Sequence, residues 1–358
     1  MFKVCGEFEF RIPFLSEKKN ILFYHANFSE YTIRICYGQF KIFLYVIGWF
    51  SIILLGVNIF NRINSIKYQF QVLYELQRNN TKQYDPSDLP FIFIGGHQST
   101  GTGLMRILLD IHPLVRCGPE PVVTREILKY RRHLETMSDQ LSQSGITENM
   151  LDDASAAFIA TVIQEMGPQA PRLCHKDPSS FIYLEELADL FPKAKFIHMI
   201  RDGRAAIAST IHRGIHPFYT LENVTTAILS WERTTLQMSE DCQYIGIFRC
   251  LSVRYECLIL NPREEIKKVL DFLELPWDDK LLEHEKFVYN TSKLNKYEAS
   301  SIQIIKSIHN NSLDAWSRNH SPILTELFKS MTTNSSVLKL LNYVSDDIPP
   351  NYNNLCNH

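Results

Sequence analysis

The chain has 358 residues, of which 45% are hydrophobic and 21% are charged, and its formal net charge is −2. These values are typical of a globular protein with one large domain or two smaller ones. They exclude an overall positive charge that would attract nucleic acid, so no nucleic-acid partner is expected. An anion-binding site would have to come from a local cluster of basic groups.

A membrane anchor is the first predicted element. Phe43 to Phe60 is an uncharged, apolar segment of 18 residues between Lys41 and Arg62. With its flanks, this segment is long enough to span a bilayer as a helix. A buried core helix and the apolar part of a signal peptide are the alternatives, although about 40 residues precede the segment and no small-residue cleavage site follows it. We therefore predict a signal-anchor helix at residues 43–60.

The segments on either side of the anchor carry no sign of a packed core. Residues 1–42 have no clear period, and residues 61–88 are polar with a break at Asp85-Pro86, which predicts an N-terminal segment and a stem. The globular body is predicted to begin near Leu89. Six of the eight cysteines and six N-glycosylation sequons lie after the anchor, which favours a body in the secretory lumen. Free thiols and unused sequons are the alternative.

A short apolar strand and a glycine-rich turn open the body. Phe91 to Ile94 is strand-like, Gly95 to Gly103 forms the turn, and Leu104 to Ile111 has helical character. The backbone N–H groups of such a turn and the dipole of the helix that follows favour a bound anion. Because the turn lacks the lysine of an ATP- or GTP-binding P-loop, we expect a phosphate-type ligand without nucleoside triphosphate chemistry. Glycines placed for steric reasons alone are the alternative.

Apolar runs alternate with helical segments through the rest of the body. The further predicted strands are Lys195 to Ile200 and Leu251 to Tyr255, and the predicted helices are Glu148 to Met166, Phe181 to Leu190 and Arg263 to Leu273. This alternation predicts an α/β fold with a parallel sheet flanked by helices. Ligands of such sheets bind at the carboxyl ends of the strands, where the glycine turn and the segment that begins with Arg201 are both expected.

Three polar residues after the second predicted strand form a candidate anion site. Ser209 and Arg213 are four residues apart and would share one helix face, and Arg201 directly follows the strand. Their guanidinium and hydroxyl groups could converge on one phosphate. A salt-bridged helix start with a solvated arginine is the alternative. Together with the glycine turn, this cluster suggests a ligand with two separated anionic groups.

Two further candidates lie on loops that contain proline. Lys176 precedes Asp177-Pro178 and could deliver a positive charge to a ligand. Glu120 lies between Pro119 and Pro121, which would stiffen the loop and direct the carboxylate, so this residue could act as a general base. For each of the two, a solvated loop residue without a chemical role is the alternative.

In combination, these motifs resemble the protein-tyrosine sulfotransferases. The matching sequences are the strand and turn FIFIGG with GTGLMRILLDIHPLVRCG, then LCHKDP, FPKAKFIHMIRDGR, and VRYECL followed by LPW. The similarity runs from about Leu89 to Trp316, with a weaker tail to Pro350. It implies transfer of a sulfonate group from 3′-phosphoadenosine 5′-phosphosulfate to tyrosine hydroxyls of secretory-pathway proteins, at sites flanked by acidic residues.

The resemblance also implies an architecture and a location. The implied fold at residues 89–350 is the P-loop-kinase-like sulfotransferase fold, without a metal ion. The implied topology is that of a single-pass type II Golgi membrane protein, with residues 1–42 cytoplasmic, the catalytic domain in the lumen, and a tendency to form homodimers.

The same resemblance assigns roles to individual residues. Glu120 would be the catalytic base, Lys176 would stabilise the bridging oxygen, and Ser300 would lie near the sulfonate. The implied cofactor contacts are Ser99, Thr100, Gly101, Thr102, Gly103, Arg201, Ser209, Arg213, Tyr255, Ser300 and Lys306. The implied disulfides are Cys117–Cys174 and Cys242–Cys250.

Four positions depart from the family pattern, and at three of them the family residue that is missing here carries a full charge. Ser99 stands where the family has an arginine that faces the sulfonate, Gly103 where it has threonine, Val122 where it has arginine, and Ala315 where it has lysine. The loss of one such donor typically costs about 2.7–4 kcal/mol of transition-state stabilisation.

These departures keep other functions open. The alternative to an active enzyme is a catalytically weak relative that binds nucleotide or peptide or pairs with an active subunit. Arg125 and His97 are the residues that could compensate for the missing charges. An NTP-dependent kinase is disfavoured because the P-loop lysine is absent.

Overall fold

The computed structural model describes residues 48–49, 51–57, 59–60, 62–63, 67, 89–291, 294–295, 304–318 and 322–356. The chain divides into two compact units, residues 1–82 and residues 83–358. Residues 1–42, the proposed stem except for three of its residues, and Ser300 lie outside the described part. Among the described residues, no helix combines the length and the apolar character needed to cross a membrane, and the anchor at 43–60 stays a prediction.

The second unit is built on a parallel sheet. Its strands are β1 (Ile92–Gly96), β2 (Val115–Cys117), β3 (Arg172–Lys176), β4 (Lys195–Ile200) and β5 (Cys250–Arg254). They are ordered β2-β3-β1-β4-β5, and every pairing among them is parallel. The predicted α/β fold is therefore confirmed. The chain winds to one side of β1 first and to the other side from β4 onward, so the crevice for a ligand is expected where the carboxyl ends of β1 and β4 diverge.

Helices connect and cover these strands. The α-helices are α1 (Thr102–Ile111), α2 (Val123–Glu135), α3 (Ser138–Gln143), α4 (Glu148–Glu165), α5 (Leu184–Leu190), α6 (Gly203–His212), α7 (Val224–Ile245), α8 (Tyr255–Leu260), α9 (Pro262–Leu273), α10 (Val288–Thr291), α11 (Asn311–Asp314), α12 (Pro322–Asn334) and α13 (Ser336–Leu340). Short 3-10 turns lie at Pro178–Tyr183, Asp279–Lys286, Ala315–Ser317 and Tyr352–Leu355.

Alternating side chains of β1 build a core on each face of the sheet. Ile92 and Ile94 pack in one buried cluster, which includes residues of α1 and α9. Phe93 and Phe91, the residue just before β1, pack in a second buried cluster, which includes residues of α4 and α5. Because both faces are covered, the strand reads as a continuous apolar run, and this is why the sequence predicted it correctly.

The strands β2 and β3 were not predicted. They carry Arg116, Arg172 and Lys176, which masks the apolar pattern. Backbone carbonyl groups satisfy Arg116 instead of a counter-ion: its Nη1 donates to the Ile163 oxygen at 2.7 Å and its Nε to the Pro168 oxygen at 2.8 Å. Buried charges of this kind cannot be recognised from periodicity alone.

Three disulfides fasten the unit. Cys117–Cys174 joins two residues that are directly opposite in β2 and β3, and Cys242–Cys250 joins the end of α7 to β5. The structure contains both pairs that the family resemblance implied. The third, Cys257–Cys356, ties α8 to the C-terminal segment and was missed by the sequence analysis.

Candidate active site

A cavity of about 1080 Å³ opens at the carboxyl ends of the strands. It brings together residues from the glycine turn, from the segment after β4, and from the loops after β2, β3 and β5. Its lining includes Ser99, Gly101, Thr102, Gly103, Glu120, Lys176, Arg201, Ser209, Arg213, Tyr255 and Lys306. Of the other predicted site residues, Thr100 is buried beneath the turn, and Ser300 lies outside the described residues.

The backbone of the turn is shaped by two glycines. Gly96 has φ 144°, and a Cβ there would lie 2.4 Å from the Met199 carbonyl oxygen of β4. Gly101 has φ 95°, and a Cβ there would lie 2.4 Å from the Tyr255 ring. No side chain caps α1, which begins directly after Gly101. Its first N–H groups, together with the helix dipole, therefore suit an anion in the cavity.

We predict that Gly101→Ala destabilises the protein more than Gly145→Ala. Both glycines have positive φ, but no heavy atom would lie within 4 Å of a Cβ at Gly145. In Gly145→Ala, the control, the free energy of unfolding should therefore fall only by the cost of a left-handed alanine, about 1–2 kcal/mol. In Gly101→Ala the free energy of unfolding should fall by roughly a further 1–3 kcal/mol, because the new Cβ collides with the Tyr255 ring. Urea denaturation of both variants tests this, and equal losses would show that the ring moves aside at no cost.

Two arginines lie beside the turn. Arg201 donates from Nη1 to the Ser99 carbonyl oxygen and from Nη2 to the Ser312 carbonyl oxygen, each at 2.8 Å, and its guanidinium lies 4.4 Å from the centre of the Tyr255 ring. Arg213 donates from Nη2 to Ser99 Oγ at 2.5 Å and from Nε to the Ser209 carbonyl oxygen at 3.2 Å. Burial and the nearby Arg201 charge lower the pKa of Arg213 to about 10, so the Arg213 guanidinium is still cationic at neutral pH.

Glu120 and Lys176 form an ion pair in the same cavity. Lys176 is the last residue of β3 and is 2% exposed, and its Nζ donates to Glu120 Oε2 at 2.7 Å. Arg125 Nη1 lies 4.0 Å from Glu120 Oε1. The carboxylate thus lies between two cations and faces the cavity, where it can take a proton from a bound hydroxyl group.

The loop that carries Glu120 is strained at Val122. This residue has φ 62°, which is a rare conformation for a β-branched side chain and costs roughly 1–3 kcal/mol. Its side chain is 41% exposed and brings no charge to the cavity. Arg125, on the first turn of α2, is the described cation that approaches Glu120 from this side.

His97 does not supply a positive charge. It is 7% exposed, its Nδ1 lies 2.9 Å from the Gln98 carbonyl oxygen, and its Nε2 lies 3.2 Å from Tyr219 Oη. Burial is the main reason that its pKa falls to about 4. Because the imidazole is neutral at physiological pH, the hypothesis that His97 compensates for a missing cation is wrong.

The low pKa of His97 predicts an acid-sensitive stability. Below pH 6.5 the unfolded chain binds a proton at this histidine, whereas the folded protein does not until about pH 4. Stability is therefore lost as the pH falls, by about 2 kcal/mol between pH 7 and pH 5 for this group. Urea denaturation of the wild type and of His97→Gln at both pH values isolates the effect, because His175 and His198 contribute equally to both proteins. An identical pH dependence of the two would contradict this prediction.

The C-terminal segment supports the cavity wall from behind. Trp316 lines the cavity and donates from Nε1 to Tyr352 Oη at 2.9 Å. Tyr352 Oη in turn donates to Asp202 Oδ2 at 2.9 Å, next to Arg201. The Cys257–Cys356 disulfide holds this segment against α8. Sequence reasoning missed these residues, since they meet only through contacts distant in the chain.

The chain is similar to known sulfotransferases. A family model described as "Sulfotransferase family" matches residues 90–279. A protein-tyrosine sulfotransferase of Drosophila melanogaster is 39% identical over 271 residues, which cover 74% of this chain but 54%, about half, of that relative. Protein-tyrosine sulfotransferase A of Caenorhabditis elegans is 37% identical, with 74% of this chain and 70% of the relative covered.

Two further matches extend the comparison. Protein-tyrosine sulfotransferase 1 of Homo sapiens is 34% identical over 297 residues, with 81% of this chain and 79% of the relative covered. Among solved structures, the sulfotransferase domain of the Synechococcus olefin synthase is 22% identical and covers 68% of this chain and 95% of its own, with a TM-score of 0.46. On the sequence matches, the chain belongs to the protein-tyrosine sulfotransferase family.

Proposed function

We propose that this chain transfers a sulfonate group from 3′-phosphoadenosine 5′-phosphosulfate to tyrosine hydroxyls of protein substrates. The observation that carries the proposal is the junction at Ser99. Its carbonyl oxygen binds Arg201 and its hydroxyl binds Arg213, so the two anion sites expected from the sequence adjoin each other in one cavity. A nucleotide with phosphates at both ends of its ribose has the charge pattern that suits them.

The residues of the cavity fit this nucleotide. The uncapped N-terminus of α1 and the turn from Ser99 to Gly103 would hold its 5′ end, and Arg201, Ser209 and Arg213 would hold its 3′-phosphate. Tyr255 and Lys306 line the same cavity and would complete the contacts. When bound, the nucleotide supplies the sulfonate group.

Glu120 and Lys176 would carry the proton and charge transfers. Glu120 accepts the proton of the tyrosine hydroxyl, which raises the negative charge on the oxygen that attacks. Lys176, 2.7 Å from that carboxylate, stabilises the charge that develops on the leaving phosphate oxygen. Ser300 is proposed to lie near the sulfonate. The cations Lys176 and Arg125 also favour a substrate tyrosine with acidic neighbours.

Location and assembly belong to the same proposal. The three disulfides suit an oxidising compartment. We propose a lumenal catalytic domain in the Golgi, anchored by residues 43–60 with residues 1–42 on the cytoplasmic side, and a homodimer.

A catalytically weak relative is the second candidate function. It is favoured by Ser99, Val122 and Ala315, which line the cavity without bringing a charge. The test is calorimetry of the full-length protein with 3′-phosphoadenosine 5′-phosphate, followed by a sulfonate-transfer assay with an acidic tyrosine peptide. Binding with transfer supports the enzyme, binding without transfer supports the weak relative, and no binding contradicts both the enzyme and a weak relative that binds nucleotide.

Arg201→Ala provides the matching variant for the calorimetry. It should weaken binding of 3′-phosphoadenosine 5′-phosphate by about 1.5–3 kcal/mol, the value of a charge-assisted hydrogen bond. An unchanged dissociation constant would remove Arg201 from the nucleotide site.

A further inference from the structure

The glycine turn is arranged for an anion but carries no cation of its own. Between Gly95 and Gly103 there is no lysine or arginine, and His97 is buried with a lowered pKa. Backbone N–H groups and a helix dipole contribute only partial charges. Lys176 brings one positive charge to this end of the cavity, so a doubly charged phosphosulfate group at this turn would need a second cation from another part of the fold.

Arg213 reaches the turn from the end of α6. Its Nη2 donates to Ser99 Oγ at 2.5 Å, and the same hydroxyl lies 2.7 Å from Thr210 Oγ1. Ser99 itself has φ 67°, a conformation that is uncommon for a residue other than glycine. The hydroxyl, Thr210 and the guanidinium thus link α6 to the middle of the turn.

The two arginines differ in what they hold. Arg201 uses both of its terminal nitrogens on backbone carbonyl oxygens, those of Ser99 and Ser312, and stacks on Tyr255. It is therefore fixed as part of the cavity wall. The Nη2 of Arg213 is instead bonded to a side-chain hydroxyl, which a phosphate or sulfonate oxygen could replace as a stronger, charged acceptor.

We infer that Arg213 supplies a second positive charge, beside that of Lys176, for the 5′-phosphosulfate end of the nucleotide. This inference deepens the proposed function and rests on it, because Arg213 would serve the 5′ end as well as the 3′-phosphate. Ser99 makes the arrangement possible: its short side chain leaves room for the guanidinium, and its hydroxyl positions it.

Two nucleotides that differ at both ends test this inference, because 3′-phosphoadenosine 5′-phosphate carries a plain 5′-phosphate in place of the phosphosulfate. Adenosine 5′-phosphosulfate has the 5′ group and lacks the 3′-phosphate, whereas 3′-phosphoadenosine 5′-phosphate keeps the 3′-phosphate. Calorimetry with full-length Arg213→Gln should show at least a fivefold loss of affinity for both. Ser209→Ala, the matched control, should weaken binding of the 3′-phosphorylated nucleotide only.

The outcomes separate this inference from the proposed function. If the wild type binds both nucleotides and Arg213→Gln keeps its affinity for adenosine 5′-phosphosulfate, the inference is overturned and the proposed function stands. If the wild type binds neither, the proposed function fails as well. Thermal unfolding of the variant should match that of the wild type within a few degrees, which shows that lost affinity is not lost folding.

Moving the charge to the turn gives a second test. Ser99→Arg alone places a third guanidinium beside Arg201 and Arg213, and it should not raise affinity for adenosine 5′-phosphosulfate. The double variant of Ser99→Arg and Arg213→Ser should recover at least half of the affinity for adenosine 5′-phosphosulfate that Arg213→Ser alone loses. A double variant as weak as Arg213→Ser, or a gain of affinity from Ser99→Arg alone, would contradict the inference.

Discussion

Glu120→Gln is expected to reduce the rate of sulfonate transfer by about 10²–10⁴-fold, the contribution of a positioned general base. The substitution keeps the size of the side chain and an oxygen that can accept from Lys176 Nζ, now 2.7 Å from the carboxylate. It removes the carboxylate that we propose takes the tyrosine proton. Initial rates at saturating nucleotide and peptide measure the loss.

Glu126→Gln is the matched control for Glu120→Gln. Glu126 lies six residues further along the chain, its side chain is 59% exposed, and it pairs with Arg125 at 3.3 Å. Its neutralisation should leave the rate within about twofold, since an exposed pair contributes little. Calorimetry with 3′-phosphoadenosine 5′-phosphate should give unchanged binding for both variants. Comparable rates for Glu120→Gln and the wild type would exclude Glu120 as the base.

The parts of the fold that the sequence predicts are those whose pattern is local. The strands β1 and β4 are buried on both faces, so their apolar runs are visible without any partner. Helices α4 and α9 follow a local helical spacing of apolar residues, and in the structure Thr147 caps α4 while Pro262 lies in the first turn of α9. Tyr255 was assigned to a strand but begins α8, because β5 ends one residue earlier.

The sequence does not predict which side chains of the site touch each other, because these contacts join distant segments of the chain. Glu120 and Lys176 are 56 residues apart, and they meet because β2 and β3 are neighbours in the sheet. The charged residues of these two strands mask the apolar pattern by which a strand is predicted. The contact of Arg213 with Ser99 spans 114 residues in the same way. A resemblance to a family can suggest such roles, but only the fold shows which side chains touch.

A buried network behind the cavity joins the described C-terminal segment to the end of β4. Asp202 caps α6 by accepting from the Arg204 backbone N–H and binds the Arg204 guanidinium through both carboxylate oxygens. The Arg204 side chain also donates to the Tyr343 carbonyl oxygen at 2.7 Å and lies over the Trp316 ring at 4.4 Å. Because Asp202 directly follows Arg201, this network fixes the strand end beside which Arg201 lies, one of the residues proposed to bind the nucleotide.

Asp202→Asn is therefore expected to lower the free energy of unfolding by about 3–5 kcal/mol, the cost of leaving one partner of a buried ion pair without its counter-charge. Both side chains of the Asp202–Arg204 pair are fully buried, so water cannot compensate for the lost carboxylate. Burial is the main reason that the pKa of the Glu256 carboxyl group is raised, and the Asp202 charge raises it further, so removal of that charge offsets part of the cost. Urea denaturation with the disulfides intact measures the change.

Asp314→Asn provides the control, because it breaks an ion pair in which Arg318 is exposed and Asp314 is half-buried. This variant should lose no more than about 1 kcal/mol. The two substitutions are chemically identical, so a difference of several kcal/mol between them measures burial. Equal losses would mean that the Asp202 network does not hold the strand end, and that the contacts of Arg201 with Ser99 and Ser312 position the cluster by themselves.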